Sequence, residues 1–302
     1  MKRKAEEPFD ENQKRSKKHL IIQIVAIALV IVAGLGVGFY FGNFYLATKF
    51  KKVDYSQFNE EDILPDFESV LEKNAGKSVA EVSAVDAFVL AQYNFEHAKS
   101  YTVSSKSSLS HNYGKQSIYV EKSLENGVFS MINISTSSMK NFATKVSVTG
   151  DTVELFEGSV TSDTTADWST KSQTYSQQEY KDMNGVAATA LTPYIVSEKT
   201  LSENDSSALS PRGGIRLQNG NYKFSIKLNT TSSVLNYVKQ IKYSSGISEL
   251  PTFNILDISF EIDQNFNFVS ITSNEEYSFK YVGGIFVTCR GTITTNYLIN
   301  NN

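Results

Sequence analysis

The residues of this 302-residue chain whose types could do chemistry are three histidines, one cysteine, one Ser-x-x-Lys tetrapeptide and two acidic clusters. His19, His97 and His111 stand far apart, and none sits at ligand spacing from another His, Cys or carboxylate. His97 is read as a helix-end residue. Ser137-Ser138-Met139-Lys140 matches the pattern of penicillin-recognising enzymes. That chemistry needs the Ser at a helix start with the Lys one turn on. Here the tetrapeptide joins two β-type segments, and the Lys-Thr-Gly partner is replaced by Lys199-Thr200-Leu201. Asp263-Gln264-Asn265-Phe266-Asn267 has the oxygen donors of a calcium loop, but Phe268 stands where that loop needs glycine. A hairpin turn is expected there instead. Glu275-Glu276 is read as the start of another turn on a solvated face. Nucleophile elbows and phosphate-cradling glycine loops are missing. The expectation is a non-enzymatic chain with no metal and no cofactor.

Aromatic side chains are the remaining candidates for contact with a ligand. Phe266 and Phe268 share one parity, so a regular strand would point both the same way. Core filling is the plainer reading of this pair. Trp168, the only tryptophan, lies in a Ser/Thr/Asp-rich stretch (residues 159–178) read as a mobile loop. It is a packing anchor there or, alternatively, a contact for a ligand or partner.

The elements that must position these residues follow from periodicity. Ser78-Val79-Ala80-Glu81 fits a capping box, and Val82, Val85, Val89 and Tyr93 follow at helical spacing, which predicts a helix over 79–98. Alternation at 101–109, 118–121, 128–135, 142–148 and 153–156 predicts an antiparallel meander of about five strands, with turns at Asn126-Gly127 and Gly150-Asp151. A short helix at 176–184 precedes a strand near 194–196 and a polar loop at 202–221. A strand at 222–228 and a helix at about 233–243 follow. Strands are then expected at 253–262, 266–273, 277–281 and 285–299. Helix-then-meander thus occurs twice.

Residues 20–42 are apolar throughout except Gln23 and carry no charge. At 1.5 Å rise per residue they span about 30–35 Å, enough to cross a bilayer. Lys14, Arg15, Lys17 and Lys18 precede them, whereas Lys49, Lys51 and Lys52 are fewer and farther away. The positive-inside bias therefore puts the N-terminus in the cytoplasm. An uncleaved anchor fits this length better than a signal peptide. Gly34, Gly38 and Gly42 fall on one face of that helix, which would permit self-association in lipid; tolerated glycine without a partner is the alternative. Residues 1–19 hold seven basic and four acidic side chains, +3, so the rest of a chain of net charge −3 carries −6. An acidic outer body has no electrostatic reason to bind nucleic acid. Cys289 is alone, so the core is built by burial without an intrachain disulfide, which suits a bacterial envelope protein. The expected layout is a cytoplasmic tail (1–19), a transmembrane helix (20–42), a stalk with short helical pieces (43–77) and an α+β extracytoplasmic domain (78–302).

From residue 78 to 299, this order of helices and long strands resembles the half-barrel envelope proteins that carry lipoproteins or lipids. The stretch 222–281 also resembles uncharacterised membrane-anchored envelope proteins of Gram-positive bacteria. The resemblance implies a curved antiparallel sheet wrapped on helices, able to enclose an apolar cavity. Two functions are consistent with it: a membrane-tethered binding module for lipid, lipoprotein or another apolar ligand, and an envelope interaction protein whose interior is packed solid. A continuous cavity between sheet and helices would favour the first.

Overall fold

The computed structural model describes residues 53–300, apart from 138–140, 185–186, 190–192, 212, 246, 248 and 281–284. The predicted transmembrane segment, with its glycine stripe and basic flank, lies outside the described residues, and none of the described helices is long and apolar enough to cross a membrane.

Eleven strands form one antiparallel sheet. They are β1 (Ser100–His111), β2 (Gly114–Glu125), β3 (Val128–Ser137), β4 (Phe142–Thr149), β5 (Thr152–Val160), β6 (Ala166–Ser176), β7 (Ile215–Arg216), β8 (Tyr222–Lys227), β9 (Thr252–Ile262), β10 (Phe268–Lys280) and β11 (Phe286–Asn300). Their spatial order is β6-β5-β4-β3-β2-β1-β11-β10-β9-β8-β7. The sheet is therefore two meanders joined where the first strand meets the last, Ser100 opposite Asn300 through His111 opposite Cys289. Asn126 and Gly127 both take positive φ (51° and 76°), which closes the β2–β3 hairpin with the twist its strands need.

Among the described residues, five α-helices accompany the sheet: α1 (Glu60–Ile63), α2 (Phe67–Asn74), α3 (Ala84–Glu96), α4 (Gln177–Asn184) and α5 (Leu235–Ser245). The capping box at Ser78 is present but opens only a 3-10 turn, Val79–Glu81. The α-helix begins five residues later, where Ser83 accepts a hydrogen bond from the Asp86 N–H (3.1 Å). The predicted single helix is thus two pieces, because Ser83 offers a second N-cap inside it. Phe88 at the centre of α3 meets Phe260 and Phe268 edge-on, at 5.2 and 5.0 Å between ring centroids, and Phe224 stacks on Phe260. All four rings are almost fully buried. Burying each such side chain stabilises the fold by about 1.5–3 kcal/mol.

Further expectations differ from what the fold shows. The stretch read as a mobile loop contains β6, whose Ser, Thr and Gln residues pair with β5 at the sheet edge, where polar side chains meet solvent. Residues 194–196 form no strand; the Ile195 N–H is bonded to Ser233 O instead. The described part of the segment read as a stalk, residues 53–77, packs onto the domain rather than standing off it. The buried Tyr55 hydroxyl donates to Pro251 O (2.8 Å), Ser197 Oγ donates to Ile63 O (2.7 Å), and Lys73 pairs with Asp86 (3.1 Å). Val53, Phe58, Phe67, Val70 and Leu71 also pack against the core, so little of the segment is left to act as a spacer.

Candidate functional site: an apolar cavity with a buried carboxylate at one end

Between the sheet and α4/α5 lies a cavity of about 480 Å³, within the range of small-molecule sites. Its floor comes from β1–β5, β10 and β11, and its roof from Tyr180, Asn184, Ala187, Ala188, Pro193, Tyr194, Tyr237, Gln240 and Ile241. The strand registers order the floor into transverse rows. One row holds Leu155, Val146, Met131, Lys122, Val103 and Tyr297. The next holds Thr144, Asn133, Val120, Ser105, Thr295 and Ile271. Side chains opposite one another in antiparallel strands share a face, which is why residues distant in sequence line one wall. The floor is apolar at its flanks and polar across its middle, where Ser105 and Thr295 exchange a 2.8 Å hydrogen bond.

Glu275 stands behind one end of this cavity. It occupies the middle of β10 opposite Gly291 and is 1% exposed. Its Oε1 accepts hydrogen bonds from Tyr194 Oη and from Ser273 Oγ (3.2 Å); its Oε2 accepts one from Tyr237 Oη (3.1 Å). Tyr194 Oη also lies 2.8 Å from Ser273 Oγ, and its single hydrogen serves one of the two contacts at a time. Burial raises the Glu275 pKa above the ordinary carboxylate value, and its three donors pull the other way without cancelling that effect. Burial, with the Glu275 charge behind it, pushes Tyr194 and Tyr237 well above the usual phenol value. Both phenols stay protonated and remain donors to the carboxylate. Nearby, burial pushes the Cys289 thiol up to about 12, so it is an inert core residue.

Lys122 is the charged side chain among the described lining residues. Desolvation lowers its ammonium to about 8. It lies in the row of Tyr297, six residues along β11 from Gly291 opposite Glu275. At strand rise that is about 20 Å, so the two charges are far apart along the wall.

The residues singled out from sequence lie elsewhere. Phe268 is 2% exposed and belongs to the α3 aromatic cluster, its ring 5.2 Å from Tyr297. Phe266 is not in a strand. It sits in the β9–β10 turn with φ 60°, its carbonyl accepting from Asn94 Nδ2 (3.1 Å), so the two side chains do not share a strand face. Trp168 on β6 lies against Gly158, where an added Cβ would come within 2.8 Å of its ring. None of the three lines the cavity. The Asp263 carboxylate accepts from the backbone N–H groups of Asn265 and Asn267 at 2.8 Å, as a hairpin turn requires. His97 caps α3 and packs on Tyr93 at 4.1 Å; His111 ends β1 and accepts from the Tyr113 N–H. Among the described residues, no group of three His, Cys, Asp or Glu is placed to hold a metal ion.

Sequence reading missed Glu275 because it broke β10 at that residue. The signal was present: Ile271, Ser273, Glu275, Tyr277 and Phe279 alternate without interruption, and neither Gly nor Pro marks a turn among them.

No protein-family model and no curated protein matches the chain. Among solved structures, the chain is similar to the Mycobacterium tuberculosis lipoprotein LppX, at 12% identity over 72% of this chain and 96% of that one, with a TM-score of 0.34. A DUF1329 family protein from Desulfovibrio piger is 9% identical over 72% of this chain and 92% of that one, with a TM-score of 0.18. TM-scores this low carry no argument about function, which has to be read from the cavity.

Proposed function

We propose that the chain is a membrane-tethered extracytoplasmic binding protein that holds an apolar or amphipathic ligand, such as lipid or a lipoprotein acyl chain, between its sheet and α4/α5. The single observation behind this reading is the cavity itself. A fold serving only as a scaffold gains by closing such a space, since a void forfeits the contacts its lining would otherwise make. Here Val103, Ile118, Val120, Met131, Val146 and Ile293 line that space. Residues 20–42 supply the tether in this reading and Lys14, Arg15, Lys17 and Lys18 keep the N-terminus inside. Glu275 is buried behind its tyrosines and does not line the cavity.

The test is uptake of a fluorescent long-chain acyl probe by the full-length protein in lipid nanodiscs, with empty discs as background. Val120→Trp fills the middle of the cavity floor. The wild-type protein takes up probe above background and the Val120→Trp variant does not, with circular dichroism unchanged. Equal uptake by both would remove the cavity from the account.

A further inference from the structure

The floor of the cavity ends at the row of Lys122. The next row on that face holds Tyr101, Phe129, Val148 and Val153; all four are buried core residues and none lines the cavity. No Asp or Glu stands among the described lining residues, so Lys122 puts a cation at one end of an otherwise uncharged wall. Val103 and Met131 flank it across the strands, and Val120 and Leu124 flank it along β2. The residue is half-buried rather than sealed. Its ammonium brings three donors on a flexible stem, and Asn133, which lines the next row, carries an amide NH2 group. Burial lowers the Lys122 pKa only to about 8, so the side chain is charged at neutral pH. A charge held in so apolar a setting attracts an opposite charge far more strongly than one in water does.

Resting on the apolar-ligand reading above, we infer that the cavity selects a long-chain carboxylate of the fatty-acid type, with its head group at Lys122. Its acyl chain runs over Val120, Ile118 and Ile293 toward the tyrosine end. On the same face of the sheet, Glu275 stands three rows on, behind Tyr237, and Glu157 lies exposed on β5, three strands from β2. Glu275 disfavours the reversed pose, with the head group at the tyrosines. One cation balances one carboxylate. A phosphate monoester brings roughly 1.5 to 2 negative charges at neutral pH and would leave the excess desolvated.

Native mass spectrometry of the full-length chain, released from a non-ionic detergent at neutral pH, tests this with three ligands of one acyl length: palmitic acid, methyl palmitate and 1-palmitoyl lysophosphatidic acid. Palmitic acid is expected to bind about tenfold more tightly than the ester, the effect of one net charge-assisted hydrogen bond. Lys122→Met is expected to bind acid and ester equally, with ester affinity retained, whereas Lys122→Arg keeps the preference. Equal affinities for acid and ester in the wild-type protein would overturn the inference while leaving the binding function standing. So would an acid preference that survives Lys122→Met, or tighter binding of the lysophosphatidic acid than of palmitic acid. If none of the three binds, the apolar-ligand reading falls and this inference with it. Lys122→Gln, polar but uncharged, serves in its place should Lys122→Met fail to fold.

Discussion

A glutamate in the middle of a strand, enclosed by two tyrosines and a serine, is stable only because its neighbours replace the water it loses. Desolvation of an unpartnered carboxylate would be prohibitive, and three donated hydrogen bonds offset much of that cost. They do not offset all of it, and the pKa of Glu275 stays raised. The consequence for stability has a definite sign. A group titrating higher in the folded state than in the unfolded chain contributes stability that is fully present below the unfolded value, near 4.5. That contribution is lost as pH rises through the folded value. Glu275→Gln keeps one acceptor for Tyr194 and Ser273 and removes the ionisation. Its urea midpoint, measured against wild type, should rise relative to wild type on going from about pH 4.5 to neutral pH. An identical offset at both pH values would mean that the carboxyl titrates in its ordinary range. Lys122 acts in the opposite direction: its ammonium is pushed down to about 8, so its burial costs stability at neutral pH and that cost fades as pH rises past that value.

Among the elements, α3 sets how firmly the second meander is held. Its residues Val85, Phe88, Val89 and Phe95 are each at most 2% exposed, and Phe88 joins the helix to β9 and β10. Val85→Asp would bury an unpaired charge and should destabilise the domain by more than about 3 kcal/mol, read from the urea midpoint or from insolubility on expression. A soluble variant with wild-type melting would show that this face of the helix is not core. Much of this was legible in the sequence. Alternation found β1–β5, β8, β9 and β11, and helical spacing found the apolar face of α3, because one solvated and one buried face leave a clear period. β6 was hidden because an edge strand of Ser, Thr and Gln looks like a loop by composition. Glu275 was hidden because an acid is expected outside, and only the unbroken parity from Ile271 to Phe279 argues otherwise. The cavity itself was not legible. It depends on how far α4 and α5 stand from the sheet, and Phe266 and Phe268, read as candidate contacts, fell into a turn and the α3 cluster.

For the whole molecule, the account joins a tether that the sequence predicts to a body with an internal cavity. In the tether half, a tag placed after Asn302 should be cleaved by external protease on intact protoplasts while a tag before Met1 is protected; equal protection of both would reverse the proposed topology. The body gains no rigidity from disulfides, and its free Cys289 is buried. It rests on one sheet whose first strand pairs along its full length with the last. Such a sheet can hold open a space that its helices only partly fill. Whether that space carries a ligand in the cell is the central claim, and the mass of the intact protein tests it most directly. Full-length chain purified from its native membrane is released under native conditions and weighed beside the Val120→Trp variant prepared identically. The account predicts one bound lipid per chain on the wild-type protein and none on the variant. A wild-type chain at its bare polypeptide mass, or a lipid adduct equally present on both, would contradict it.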